Sequence, residues 1–180
     1  MRGEIVIAGI GNTRYGRHPD RDTVSLNVEA CRHALADAAV DKDAVDAVFV
    51  KTPSSAREFM YGQKVSEALG LQPRIAGAWD QGGAANITLL TFAAMAIMAG
   101  QCEIALVCYA DNPKTGNAAH FARPRGNDAA YGWFSTAAGY AMIHRNHVDQ
   151  FGTAPDAFAA VAMACRRNGA ANPQAQRPVT

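Results

Sequence analysis

The sequence has no run of like charge. Seventeen Lys and Arg against sixteen Asp and Glu leave a net charge of +1, and without a basic stripe a nucleic-acid partner has no electrostatic footprint to follow. The first residues do not read as an export signal. Met1-Arg2-Gly3-Glu4 leads directly into a short apolar run that lacks the length of a signal core and a small-residue cleavage site. No apolar run is long enough to cross a bilayer: Ile87 to Ala99 is nearly all apolar, but it falls short of the ~20 residues a span requires and is bounded by Gly82-Gly83 and Gly100. It reads as a core helix. There is neither a G-x-G-x-x-G nor a P-loop, which leaves a nucleotide without its cradle.

Metal and disulfide frameworks are absent as well. The four cysteines, Cys31, Cys102, Cys108 and Cys165, form no C-x-x-C and have no histidine at a zinc-finger interval. With no export signal they read as reduced thiols of a cytoplasmic protein. Of the five histidines, only His144 and His147 make a local pair, at i, i+3 on an expected helix. That spacing can hold a metal, but with no third ligand nearby a solvated helix face is the better reading. No metal and no permanently bound cofactor is expected.

What is present is core material. Apolar residues make up 49% of the 180 and charged residues 18%, a balance suited to elements buried on several sides, including against another chain or segment. Glu4 to Ile10 reads as a buried strand that runs into a Gly-, Pro- and charge-bearing loop. Asp22 or Thr23 then caps a helix with Val24, Val28, Cys31 and Leu35 at helical spacing. Ala47 to Val50 is a second strand, and Ser54-Ser55 opens a helical stretch through Leu69, stopped by Gly70 and Pro73. Arg74 to Trp79 is a third strand, Ala84 to Ala99 a helix that is apolar all round, and Glu103 to Tyr109 a fourth strand. This βαβαβαβ order predicts an α/β fold with a mainly parallel sheet covered on both faces. Residues 1–111 form that core. Residues 112–180, starting with an Asn-, Pro-, Gly- and Arg-rich stretch, read as a loop and excursion domain, with helices at Tyr131–Phe151 and Pro155–Asn168.

The segment that carries chemistry is Asp80-Gln81-Gly82-Gly83-Ala84-Ala85-Asn86, between a strand and an apolar helix. Two glycines let the backbone turn sharply and leave the helix N-terminus uncovered. The first N–H groups of a helix have no internal partner, and its dipole favours negative charge there. Such a turn can hold a thioester carbonyl or a developing oxyanion. It can also be a plain strand–helix turn whose glycines serve close packing.

Taken together, Gly83-Ala84-Ala85-Asn86, the apolar helix, Ala99-Gly100 and Ile104-Ala105-Leu106-Val107 resemble the nucleophile region of the thiolase superfamily. Further matches are Ile5 to Gly11 with Thr13 and Tyr15-Gly16, Ala34 to Ala38, Gln150 to Thr153, and Arg167-Asn168 through Asn172-Pro173. The nearest resemblance is to the cysteine-less, sterol-carrier/lipid-transfer type of thiolase-like proteins, on Gly82-Gly83-Ala84-Ala85 and Cys108-Tyr109. The resemblance implies a layered αβαβα fold around a buried central helix, of which this chain is the first half. On that reading the acid–base residues of the second half would lie elsewhere. It also implies a coenzyme A thioester as substrate, a homodimer paired through the Arg74–Trp79 strand, and a zinc-ribbon/OB-fold partner like that of the steroid side-chain aldolases.

Counting back from Gly100, the nucleophilic cysteine of the superfamily falls on Gly83. Glycine cannot carry an acyl group, so the implied chemistry is carbon–carbon cleavage or formation of the retro-aldol type. Gly83 and Ala84 would supply backbone oxyanion donors. Cys108 ends an apolar strand and reads as a buried, inert thiol rather than a substitute. A non-catalytic acyl-CoA- or lipid-binding or scaffold subunit remains an alternative, and an acetyl-CoA acetyltransferase-like acyltransferase is a second.

Tyr109, Asp111, Asn112 and His120 follow the fourth strand, where loops at strand C-termini reach α/β sites. His120 is a candidate acid–base group or a surface loop histidine. Lys114, Arg123 and Arg125 can meet the phosphates of coenzyme A or lie in a solvated loop. Trp133 and Phe134 can wall an acyl pocket or serve packing.

Overall fold

In the computed structural model, residues 3–115, 126–133 and 135–176 are described. They divide into two compact units, one holding the sheet and the other the last two helices.

The first unit is built on three parallel strands: β1 (Ala47–Lys51), β2 (Ile75–Trp79) and β3 (Ala105–Cys108), in the order β2-β1-β3. β1 is central and buried at all five positions, which is why its sequence is a continuous apolar run rather than an alternating one. Its alternation sorts the core. Val48 and Val50 point to one face, where they pack with residues of α1 (Thr23–Ala38) and α2 (Tyr61–Leu69). Ala47 and Phe49 point to the other, against α3 (Ala85–Met98).

α1 starts as expected, with Asp22 accepting the Ser25 N–H at 2.7 Å. Hydrogen bonds from Ser25 lower the carboxyl of Asp22 below its ordinary value. Beneath α1 lies a buried polar knot. Asn27 Nδ2 donates to Thr23 O at 2.9 Å and to Tyr61 Oη at 3.0 Å, and burial, against the hydrogen bond from Asn27, pushes the Tyr61 phenol up to about 12. α2 presents Tyr61, Val65 and Leu69 on one side and ends at Gly70, the stop expected from the sequence.

Three expectations need correction. Residues 4–10 take no place in the three-stranded sheet. Gly9 and Gly11 let this segment lie directly on the backbone of α1, and the Ile10 N–H donates to Asp37 Oδ2 at 2.9 Å. Val6, Ile7 and Ile10 stay exposed. The second helix begins at Tyr61 rather than Ser54, because the Ser54 and Ser55 N–H groups are drawn to Asp111. α3, apolar all round, is covered on one side only: Ala85, Leu89 and Ala93 are buried, and Ile87, Leu90, Met95 and Met98 are exposed.

The second unit holds α4 (Thr136–Phe151), capped by Ser135 Oγ accepting from Ala138 N–H at 3.1 Å, and α5 (Pro155–Ala170), with proline at its start. His144 meets Phe158 edge-on at 4.0 Å between ring centroids, and His147 Nε2 lies 2.8 Å from Thr153 Oγ1. Both histidines lie on an exposed helix face and meet neighbouring side chains, and no cluster of metal ligands occurs among the described residues. No described helix is long and apolar enough to cross a membrane.

Candidate functional site

In a parallel sheet every strand ends on the same edge, and here the three carboxyl ends lie level. Lys51 pairs with Trp79, and Val50 with both Ala78 and Cys108. The chain leaves β2 through Asp80 and Gln81 into a single tight turn, Gly82–Ala84, which runs directly into α3. Gly82 sits at φ +57°, a left-handed conformation that glycine adopts freely and other residues rarely do. Gly83 differs: its φ is not positive, and an added Cβ would meet nothing within 4 Å. Close packing within this chain therefore gives no reason for glycine at 83.

Residues 81–84 are exposed, and the start of α3 carries no side-chain cap and no acidic residue in its first turn. The Ala84 N–H donates to Gln81 O at 3.3 Å, and the Ala85 N–H to Gly82 O. Among the described residues the Gly83 N–H has no acceptor. Of the two donors expected from the sequence, Gly83 is the one with an open N–H, while Ala84 would share its own.

Lys51 adds a group that sequence reading passed over. β1 extends one residue past the expected strand, and its last side chain is buried, with 7% of the residue exposed. Its ammonium donates to Thr52 O at 3.2 Å, lies 4.2 Å from the centroid of the Tyr109 ring, and is 4.0 Å from Asp80 Oδ1. Asp80 Oδ1 also accepts the Gly82 N–H at 3.0 Å, and Oδ2 lies 3.5 Å from Arg57. The signal in the sequence is a lysine directly after Val-Phe-Val and before Thr-Pro, where the apolar pattern ends.

The residues after β3 divide into two roles. Asp111 accepts from Ser54 N–H at 2.8 Å, Ser55 N–H at 3.1 Å, Ser55 Oγ and Tyr109 Oη at 3.0 Å. Burial raises its carboxyl, but those hydrogen bonds outweigh it and hold the group below the ordinary carboxylate value. Asn112 is buried, and its Nδ2 donates to His18 O and Arg21 O at 2.8 and 3.0 Å. Both side chains tie loops to the end of β3. Tyr109 stays partly open at the strand ends; burial first, then the neighbouring Asp111 carboxylate, push its phenol well up and keep it protonated.

Cys108 is buried on the α1 side. A thiol hydrogen bond to Cys31, together with burial, holds it far above the ordinary thiol value, the state of an inert core cysteine. Cys102 is buried too, Cys165 is exposed, and all four cysteines are free. Lys114 lies in the exposed turn after Asn112. His120, Arg123, Arg125 and Phe134 fall outside the described residues. Trp133 donates through Nε1 to Ser135 O at 2.6 Å and packs over Gly139, a local packing role. An open cavity of about 600 Å3 lies on the α1 side of the sheet, lined by Arg21, Glu29, Arg32 and His33 among others. It is on the opposite face from α3.

No family model matches the chain. A steroid side-chain-cleaving aldolase of Thermomonospora curvata is 30% identical to it over 197 aligned positions, which cover 100% of this chain and 49% of that protein. A 17-hydroxy-3-oxo-4-pregnene-20-carboxyl-CoA lyase of Mycobacterium tuberculosis is 28% identical, covering 100% and 50%. The chain thus spans about half the length of these curated relatives. A solved Ltp2-ChsH2(DUF35) aldolase superposes with a TM-score of 0.75 at 29% identity, over 97% of this chain and 46% of that one. An acetyl-CoA acetyltransferase from Syntrophomonas wolfei shares the fold at a TM-score of 0.51 and 23% identity, over 57% and 27%. The fold is thiolase-like. Within it, the turn at Gly83 precedes the helix that packs on the sheet, and the named relatives include an aldolase and a CoA lyase.

Proposed function

We propose that this chain forms the N-terminal half of a thiolase-like enzyme that cleaves a carbon–carbon bond of an acyl-CoA thioester by a retro-aldol step. One observation carries the reading: glycine at 83 has open space around it and, among the described residues, an unengaged N–H at the start of a helix with no side-chain cap. A thioester carbonyl can approach such a position closely, and no side chain is there to be acylated.

In the retro-aldol direction a base takes the proton of the β-hydroxyl, and that oxygen becomes a carbonyl as the Cα–Cβ bond breaks. The bonding pair moves onto the thioester as an enolate, which the Gly83 N–H, shared in part by Ala84, stabilises. Protonation at Cα releases a shortened acyl-CoA and a ketone or aldehyde. No covalent acyl-enzyme is needed, in contrast to thiolysis. The base lies outside the groups that meet at this turn; His120 is one candidate. Lys114, Arg123 and Arg125 would meet the phosphates of coenzyme A. The working assembly is a homodimer joined to a zinc-ribbon/OB-fold partner, in line with the two-component name of the aldolase that superposes over 97% of this chain.

The test is acyl-CoA cleavage per folded molecule in the assembled enzyme. Gly83→Val is expected to fold normally, because its Cβ meets nothing, and to lose turnover. Gly83→Cys is expected to fold and to fall short of an efficient thiolase, since base and exit geometry for thiolysis are not built in. Normal turnover in folded Gly83→Val overturns the oxyanion role. Stoichiometric acylation of Cys31, Cys102, Cys108 or Cys165 during turnover overturns the non-covalent mechanism.

A further inference from the structure

The sheet places a buried cation beneath the turn. Ala47, Phe49 and Lys51 alternate with Val48 and Val50, which puts Lys51 on the α3 side of the sheet, the side of Phe49 and Trp79. A cation beside a helix N-terminus is ordinarily unfavourable, because the dipole already places positive charge there. Asp80 resolves the conflict. Its Oδ1 lies between the Lys51 ammonium, 4.0 Å away, and the Gly82 N–H, 3.0 Å away. A carboxylate in that position, however, would itself oppose negative charge growing one residue further on, at Gly83.

We infer that Lys51 is a positioning residue for the Gly82–Ala84 turn: it holds Asp80 against the Gly82 N–H and cancels the carboxylate charge that would otherwise repel an oxyanion at Gly83. The inference rests on the reading of that turn as the thioester-carbonyl site. Two features make Lys51 suited to the task. It is held from three sides, by Thr52 O, the Tyr109 ring and Asp80, so its charge is fixed in place. It is also buried where Arg57, the other cation near Asp80, is exposed, with 60% of that side chain open to solvent. Charge–charge effects are stronger where water is excluded and screening is weak. Lys51 therefore controls the local potential more than Arg57 does.

The experiment uses three variants of the chain in its assembled enzyme: Lys51→Met, Lys51→Arg and the double variant Lys51→Met with Asp80→Asn. Two readouts are taken, the exchange rate of the Gly82 amide by NMR without substrate, and kcat and KM for acyl-CoA cleavage. Lys51→Met is expected to speed Gly82 exchange by about tenfold and to lower kcat by roughly 10- to 100-fold with little change in KM, since oxyanion charge appears only in the transition state. Lys51→Arg should keep the slow exchange. The double variant removes both charges, while the amide oxygen introduced by Asp80→Asn can still accept from Gly82. It should recover at least half of the lost kcat on a logarithmic scale.

A merely structural lysine predicts something else: the double variant is as poor as the single one or worse, and the amides of β1 and α3 speed up together with Gly82. Either result overturns the proposal, as does unchanged Gly82 exchange in folded Lys51→Met. If the unmodified assembly fails to cleave any acyl-CoA, the thioester reading fails by itself. The exchange data then still decide whether Lys51 holds the turn.

Discussion

The two faces of the sheet are built from the same strands but are finished to different degrees. On one face α1 and α2 close over Val48, Val50, Leu106 and Cys108, and twelve of the described residues form one continuous buried core. On the other, among the described residues, α3 is the helix that covers Ala47 and Phe49, and the buried set is five residues ringed by partly open ones such as Trp79 and Phe92. Phe49 stacks on Trp79 at 5.4 Å between ring centroids, and Phe92 meets Trp79 edge-on at 6.0 Å, yet the outward side of α3 keeps Ile87 at 70% exposure. The closed face buries the larger apolar set. The face that bears the candidate site is the one left to be covered, which is the usual position of an interaction surface.

Breaking the closed face should have the largest effect. Tyr61→Ala removes a fully buried ring and leaves Asn27 short of a partner, and is expected to cost about 3–5 kcal/mol in urea denaturation. Leu89→Ala, on the inner side of α3, should cost about 2–3 kcal/mol, because the thinner cover can relax into the space. If Leu89 proves the costlier of the two, the α3 face holds the unit together and the comparison is reversed.

Asp111 belongs to neither face; it ties the loops at the strand ends. Asp111→Ala leaves the Ser54 and Ser55 N–H groups without their acceptor and should cost about 1–3 kcal/mol. The sign of its pH dependence follows from its lowered carboxyl. The folded pKa lies below the unfolded one, so the contribution is present above the unfolded value and is lost as pH falls through the folded value. Stability of the native chain should therefore drop in acid by an amount that Asp111→Ala no longer shows. An identical acid profile in the two proteins would remove Asp111 from this role.

The smallest effect should come from the outer side of α3. Ile87→Ser is expected to change the stability of an isolated chain by no more than about 0.5 kcal/mol, and to weaken self-association measured by sedimentation if this side is covered in the proposed dimer. A loss as large as that of Leu89→Ala would show that the outer side is packed in solution.

Much of this was legible from the sequence, for local reasons. β-branched runs separated by helix-length stretches pointed to the parallel sheet, Asp22 and Gly70 marked helix ends, and Gly82-Gly83 marked the turn. What was not legible depended on partners far along the chain. Residues 54–60 avoid the helix because Asp111, 57 and 56 positions away from Ser54 and Ser55, takes their N–H groups. Residues 4–10 have strand composition, yet strand composition does not supply a neighbour, and glycines that let them lie on α1 look the same as glycines that end a strand. Lys51 was hidden by its type, since a lysine after an apolar strand suggests an exit to solvent, and only the meeting of three strand ends explains its burial.

The parallel arrangement also has a consequence in time. Ala47 meets Ile75 and Ala105, so the central strand cannot pair through a hairpin and must wait for partners made much later. During synthesis Val48-Phe49-Val50 emerges as an apolar, β-prone segment with no edge to join until β2 leaves the ribosome, and it gains its second neighbour only with β3. Loops of that length close slowly, and an unpaired strand of this composition invites pairing with other chains meanwhile. Yield of soluble protein should therefore depend on the rate of synthesis between Lys51 and Cys108 more than on the final stability of the folded chain.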